Sequence, residues 1–358
     1  MNPARIGKRF FALLFVVGVS ALFSAATPAQ TLAELAGYDG PDRKARLIAG
    51  AQKEGMLQFY TTIPPEYLKP LTEAFEKKYG VKVDVWRARS EAVLQRVMAE
   101  AKGGRWTVDV VESISPPMEA LVREKLTQEV RSPEHKNLID GVLPSHREWA
   151  PTLVFIFVQA YNTAKVKKEE LPRSYEDLLD PKWRGRLSIE ASDHEWFYSV
   201  LRDMDAKRGA GSGLKFFHDL VASNGLSTRV GHPLLVNLVA SGEVPLALTV
   251  YQYSPEQLKK KGAPIDWFAI EPAVAISDGM AVMKKAPHPH AALLFYDYLL
   301  SEEGNRQIAK IGYAPANRNI ESPLQKISVK VLNPSTLLDE SAKSTALFDE
   351  VIIKRSGK

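Results

Sequence analysis

The segment MLQFYTTIPPEYLKPLTEAFEKKYGVKVDVWRARSEAVLQRVMAEAKGGRWTVDVV, residues 56–111, switches repeatedly between two periodicities. Residues 56–60 predict a strand. Over 65–79, Leu68, Leu71 and Phe75 fall on one helical face, and Gly80 ends the pattern. Val81, Val83 and Val85 alternate across 81–86 as a second strand. Ser90 is placed to cap the next helix, whose Val93, Leu94, Val97, Met98 and Ala101 form an apolar stripe up to Gly103-Gly104. Residues 108–111 read as a third, short, fully apolar strand. Repeated β-α-β units call for a parallel sheet covered by helices on both faces, with ligands expected beyond the carboxyl ends of the strands.

Working outward, residues 152–160 form a long apolar strand that predicts a crossover into a second lobe. Residues 171–186 carry Pro172, Pro181 and Gly185 and suit a surface excursion with one short helix. A strand restarts at 187–189, with Ser192 or Asp193 as cap for the following helix. Another helix is expected from Pro233 to Gly242, then a strand over 244–250. Residues 280–284 predict the return crossing, and the helices from His288 onward are expected to pack on the first lobe. The expected organisation is therefore a first lobe of residues 30–150 with 276–358 and a second lobe of 151–275. Two strands, not a flexible tether, link them.

At the amino end, Arg5, Lys8 and Arg9 precede an apolar run over 10–23, and small residues follow through Ala29. That order predicts a secretory signal peptide over 1–29, with cleavage after Ala26 or Ala29, and the run is short for a membrane span. The chain contains no cysteine, which excludes disulfides, Cys-ligated zinc, thiol nucleophiles and a lipid-modified N-terminal Cys. The roughly 330 residues that remain, from a chain 45% hydrophobic, suffice for two domain cores. The formal charge of +5 is inflated by the leader: without its three basic residues, 44 basic face 42 acidic side chains. Nucleic acid is not an expected partner at that balance.

Three groups of residues carry a family resemblance. They are Leu171-Pro172-Arg173-Ser174-Tyr175-Glu176-Asp177-Leu178 with Pro181-Lys182-Trp183-Arg184-Gly185-Arg186; Gly231-His232-Pro233-Leu234-Leu235 through Ala240-Ser241-Gly242-Glu243; and Ser301-Glu302-Glu303-Gly304-Asn305 through Gly312-Tyr313-Ala314-Pro315-Ala316-Asn317. Together they resemble the bacterial extracellular solute-binding proteins of the ferric-iron-binding type, over essentially the whole mature chain. The resemblance implies an α/β, two-lobed periplasmic-binding-protein fold of type II, closing on a ligand in its cleft. It also implies a periplasmic location, a monomer, and delivery to the membrane permease of an ABC importer. No resident cofactor is expected; a bound metal would be cargo.

The resemblance points to particular positions. Adjacent tyrosines of ferric binders correspond here to Gln252-Tyr253, with Tyr251 one residue earlier; on a strand end Tyr251 and Tyr253 would share a side. Aromatic packing is the alternative. Where relatives often place a histidine, this chain has Thr61-Thr62. Glu91 stands where relatives carry a metal-binding glutamate, although a first-turn acid also suits a helix dipole. Relatives bind a partner anion at the helix start that reads Glu190-Ala191-Ser192-Asp193-His194-Glu195 here. A carboxylate at Asp193 disfavours an anion there, and the cluster offers ligands to a metal or amine, or simply an acidic helix start. Thr61, Thr62 and Ser113, at strand ends, offer hydroxyls and backbone donors suited to an anionic group, or satisfy their own turns.

Two ligand classes follow. A small organic solute would use Thr61, Thr62, Ser113, Ser192 and Tyr253; the broken tyrosine pair and missing histidine favour it. Ferric iron would use Tyr251, Tyr253, Glu91 and the Asp193 to Glu195 cluster, with His194 as imidazole. An enzyme is not expected: the sequence has no G-x-S-x-G elbow, H-E-x-x-H or phosphate loop, and His288-Pro289-His290 reads as a plain loop before a helix.

Overall fold

The computed structural model describes residues 30–322 and 325–355. The expected signal peptide lies outside them. After two short helices, α1 (Leu32–Gly37) and α2 (Arg43–Glu54), the chain runs β1 (Met56–Thr61), α3 (Pro65–Tyr79), β2 (Lys82–Arg87), α4 (Ser90–Lys102), β3 (Val110–Ile114) and α5 (Ser115–Arg123). β1 pairs in parallel with both β2 and β3, as the β-α-β reading requires. Ser90 is the first helical residue and caps nothing; Arg89 occupies the cap position without a side-chain bond.

The second half carries β4 (Ala150–Asn162), β5 (Leu187–Glu190), α6 (His194–Arg208), α7 (Ser212–Asn224), β6 (Ser227–Arg229), α8 (His232–Ser241), β7 (Leu246–Tyr251), α9 (Tyr253–Lys260), β8 (Ile265–Phe268) and β9 (Ala273–Val282). β5 is parallel to β6 and to β7. The chain ends with α10 (Pro289–Leu300), α11 (Glu302–Lys310), β10 (Ala314–Pro315), β11 (Val329–Val331) and α12 (Pro334–Phe348). The strand order β2-β1-β3-β9-β4-β7-β5-β6 places β9 and β4 at the centre. They run antiparallel to one another; β9 also pairs with β3, and β4 with β7.

Alternation along the strands splits each half into two packing faces. Phe59 of β1 joins Leu47, Leu68, Phe75 and Phe295, whereas Tyr60 joins Val93, Val97 and Met118 on the other face. In β7, Leu246 and Leu248 join Trp196, Phe197 and Phe217, whereas Ala247 joins Leu235 and Val239; past a register shift against β4, Val250 joins that second face as well. The crossing strands lie close. A Cβ on Gly279 of β9 would come within 2.4 Å of the Ala150 carbonyl oxygen of β4, so this position admits glycine alone without a shift of backbone.

Two expectations change. The stretch 171–186 holds two short 3-10 turns, Glu176–Leu179 and Pro181–Trp183, and it is anchored: Leu178 and Trp183 are fully buried in the core of the second half. The C-terminal residues do not pack on the first lobe alone. Phe348, Val351 and Ile352 are buried with Phe197 and Phe217 of the second half. α12 therefore spans both halves, with Asp339 paired to Arg123 of α5 and Glu340 accepting two bonds from Arg202 of α6.

Candidate metal-binding cleft

Parallel pairing brings the carboxyl ends of β5, β6 and β7 to one edge of the sheet. β5 ends at Glu190, and Ser192 and Asp193 lead into α6. Gly231 leads into α8 at His232, and β7 ends at Tyr251. Glu190, Asp193 and His232 each bring one donor atom within 4.8 Å of the others. His232 Nε2 lies 3.2 Å from Asp193 Oδ1. The Asp193 side chain is 4% exposed, yet its Oδ2 accepts no hydrogen bond, and neither does His232 Nδ1 make one. A buried carboxylate oxygen without a donor is costly, and a cation is the species that relieves it.

The local electrostatics agree. Burial raises the Asp193 pKa, opposed by His232 and the Thr249 hydroxyl. Burial lowers the His232 pKa, but Asp193, followed by Glu190 and Glu195, outweighs it and the net shift is upward. Glu195, in the first turn of α6, is pushed up to about 7, by burial first and then by Asp193, Glu190 and Glu91. Tyr251 is raised well above the ordinary phenol value by burial and then by Asp193 and Glu195. All four groups are shifted toward their protonated forms, the two acids and the phenol by burial first and the imidazole by the carboxylates around it.

Glu190 itself is saturated. Its Oε2 accepts from the Ser192 N–H at 2.6 Å and the Ser192 hydroxyl at 2.5 Å, and its Oε1 from the Gly231 N–H at 2.8 Å. Gly231 has φ +97°, a conformation that favours glycine, and this turn aims its N–H at Glu190.

On the first half, Thr61 and Thr62 close β1 as expected, but their donors point to Glu112 of β3. The Thr61 hydroxyl, the Thr62 N–H at 2.8 Å and the Thr62 hydroxyl at 3.1 Å all donate to its carboxylate. Asp278 of β9 lies nearby: burial, then the charge of Glu112, holds its carboxyl well above the usual range, and its Oδ1 has no hydrogen-bond partner. Ser113 is 1% exposed, and its hydroxyl has no partner.

The remaining expected positions separate. Tyr251 and Tyr253 do share a side, with ring centroids 6.3 Å apart and planes 20° apart, but through a helical Gln252 at the start of α9, not through strand alternation. Their main neighbours differ. Tyr251 is influenced by Asp193, Glu195 and Glu190, whereas Tyr253 sits against Tyr313 and is raised to about 12 by burial. His194 faces Ser344 of α12, with Nδ1 3.0 Å from its Oγ. The imidazole of the cluster is His232, which sequence reading passed over as part of a helix start. Ser192 is exposed but spends its hydroxyl on Glu190. Glu91 is exposed at the start of α4, and its charge reaches Glu195. His288 and His290 are tied to Asp109 and Glu54, as structural pairs.

Two α/β lobes joined by crossing antiparallel strands, with polar side chains gathered at the strand ends of each, define a type II periplasmic binding protein. The chain belongs to the family of bacterial extracellular solute-binding proteins, whose family model matches residues 107–334. It is 23% identical to iron uptake protein A1 of Synechocystis over 89% of this chain and 91% of that protein. Among solved structures it is similar to iron-bound HitA from Pseudomonas aeruginosa, with a TM-score of 0.71 and 22% identity over 83% of this chain and 99% of that one. It is also similar to AfuA from Actinobacillus pleuropneumoniae, solved with exogenous fructose-6-phosphate, with a TM-score of 0.69 and 22% identity over 84% and 99%. The family is one of periplasmic solute-binding components of importers. Among the described residues no helix is long and apolar enough to cross a membrane.

Proposed function

We propose that the protein binds ferric iron between its lobes and passes it to the permease of an ABC importer, in the periplasm and as a monomer. The observation that carries this reading is the buried, unpartnered Oδ2 of Asp193, set beside His232, Glu190 and Tyr251. Carboxylate, phenolate and imidazole are donors that suit a small, highly charged cation, and the cation in turn lowers the phenol pKa enough to ionise it. The relative named for iron uptake supports the same choice. We prefer it to the small organic solute that the broken tyrosine pair favoured at the level of sequence, because three of the hydroxyls enlisted for such a ligand, on Thr61, Thr62 and Ser192, are already engaged, although that of Ser113 is not.

Asp193, His232 and Tyr251 are the proposed ligands from the second lobe, with Glu195 as a further carboxylate and Glu91 approaching from the first. Domain closure follows from a cation that contacts both lobes and so stabilises the closed form. The test is titration of metal-free protein with ferric ion, followed in the visible region. One equivalent of iron per chain with a phenolate-to-iron absorption band is the expected result. A colourless protein whose melting temperature rises with an organic solute and not with iron would reject the reading; a ligand at 100 times its Kd adds about 2.7 kcal/mol, enough to see.

A further inference from the structure

We infer that the cleft takes its cation without an anionic co-ligand, because the wall that carries the proposed cation ligands fills its anion-binding donors with a carboxylate of its own. This rests on the cation reading above and narrows it.

On the second lobe, an anion would be held by the N–H groups and hydroxyl of the turns that lead into α6 and α8. Glu190 already occupies them, taking the Ser192 N–H, the Ser192 hydroxyl and the Gly231 N–H on its two oxygens. Asp193, next along the turn, adds acceptors at the positive end of α6, where an anion would otherwise settle. On the first lobe, the Ser113 hydroxyl is buried without a partner, while three other donors, the Thr61 hydroxyl with the N–H and hydroxyl of Thr62, are engaged. Glu112 takes all three. Glu190 is 3% exposed and Glu112 1%, so neither is a surface side chain that swings aside. An incoming phosphate or carbonate would have to evict a buried, fully bonded carboxylate and then sit beside other acids.

The same arrangement explains how a trivalent ion is neutralised. The charge that an exogenous anion would bring is supplied by the protein, through Glu190, Asp193 and Glu195, and the donors that would have fixed that anion instead fix Glu190 in place. A phosphorylated solute meets the same obstacle at the second-lobe wall.

The experiment loads metal-free protein in buffer free of phosphate, carbonate and citrate, using ferrous chloride added under argon and then oxidised by air. The expected result is the full visible band at one iron per chain, with a maximum that does not move when inorganic phosphate, bicarbonate or citrate is added, and no labelled phosphate eluting with the iron. A band that appears only after an anion is supplied, or phosphate that elutes in step with iron, overturns the inference while leaving the cation reading intact. A protein that stays colourless in every buffer overturns both. Metal-free protein gives an independent arm: inorganic phosphate and fructose 6-phosphate should leave its melting temperature unchanged, and a rise with either shows open anion donors. Glu190→Gln should weaken iron loading in anion-free buffer roughly tenfold or more, with phosphate restoring part of it. Unchanged loading in that variant would remove Glu190 from the role; if it fails to fold, the wild-type arms still decide.

Discussion

The ring of His232 lies on Tyr251, with centroids 4.0 Å apart and planes 35° apart, and Phe155 stacks on Tyr251 at 4.6 Å and 23°. Rings packed on its faces leave the hydroxyl edge of Tyr251 as the part it offers the acidic cluster. An organic cation held by an aromatic box needs an open ring face. A metal ion needs the phenol oxygen. The packing of these three rings therefore argues for metal chemistry at a cluster whose charge alone would suit either.

Tyr251→Phe and Tyr253→Phe should accordingly part company, because Tyr253 turns to Tyr313 and Tyr67 while Tyr251 answers to Asp193 and Glu195. Losing a group that merely supports a metal ligand costs about 10–100-fold in affinity; losing the donor oxygen itself should cost more. Tyr251→Phe is expected to abolish the visible band, and Tyr253→Phe to keep it with a modest loss of affinity. Titration of both variants with ferric ion measures this, and the reverse order would exchange the two assignments.

Histidine substitution separates the cluster from its neighbour in sequence. His232→Gln should weaken ferric binding by at least about tenfold, since His232 Nε2 is 3.2 Å from Asp193. His194→Gln should weaken binding less than His232→Gln, because its Nδ1 bonds Ser344 and its Nε2 lies 3.6 Å from Glu195, outside the Asp193–His232 pair. Equal losses in both variants would mean that the imidazoles act through the stability of α6 and not at the metal.

The uneven legibility of the site has a physical cause. The β1-α3-β2-α4-β3 run was readable because each element carries its own period: Leu68, Leu71 and Phe75 at helical spacing, Val83 and Val85 at strand spacing. His232 was not readable as a partner of Asp193, since nothing local in Gly231-His232-Pro233 says that these two side chains meet. A signal did exist. Both residues sit just past the ends of β5 and β6, which are parallel neighbours, so their side chains reach one edge. The donors of Thr61 and Thr62 are assignable from sequence to a ligand or to their own turns but not to Glu112, because that pairing is made across strands. The C-terminal misassignment was of the same kind, as Phe348, Val351 and Ile352 look like any amphipathic end until α6 and α7 are in place.

The acidic cluster should give the metal-free protein an inverted pH response. Glu195 moves from an ordinary 4.5 to about 7, so between those values the folded chain keeps a proton that the unfolded chain has released. Its ionisation costs the fold nothing below pH 4.5 and costs the full amount above 7, of order 3 kcal/mol. The upward shifts of Asp193 and His232 act in the same direction. His135, lowered to about 4 chiefly by burial, opposes them by favouring the fold as pH rises from 4 to 6.5. Comparison with Glu195→Gln isolates the acid. In urea unfolding the variant should match wild type near pH 4.5 and exceed it at pH 8; a difference constant across that range would show that the side chain is not titrating in place.

Gly279→Ala tests the crossing strands. The new methyl would meet the Ala150 carbonyl oxygen at 2.4 Å and the Pro151 Cα at 2.8 Å, both backbone atoms that cannot rotate away. Overpacking of this kind costs about 1–3 kcal/mol. Denaturant midpoints should fall accordingly, and an unchanged midpoint would mean that β4 and β9 separate at little cost.

α12 touches both lobes, but by two different kinds of contact, and they should respond differently to substitution. Its end lies in the second-lobe core, where Phe348 is 1% exposed and meets Phe197 edge to face at 5.5 Å. Phe348→Ala removes that packing and should cost about 3–5 kcal/mol. Its contact with the first lobe is polar: the Arg123–Asp339 pair is solvent-exposed, and Ser335 donates to Glu119 at 2.8 Å. Arg123→Ala should therefore cost little stability. If α12 travels with the second lobe, that pair is made and broken as the lobes move, so the substitution should shift the balance of open and closed forms in small-angle scattering while leaving the denaturant midpoint almost unchanged. A large loss of stability in Arg123→Ala would instead make α12 part of the first lobe's own fold.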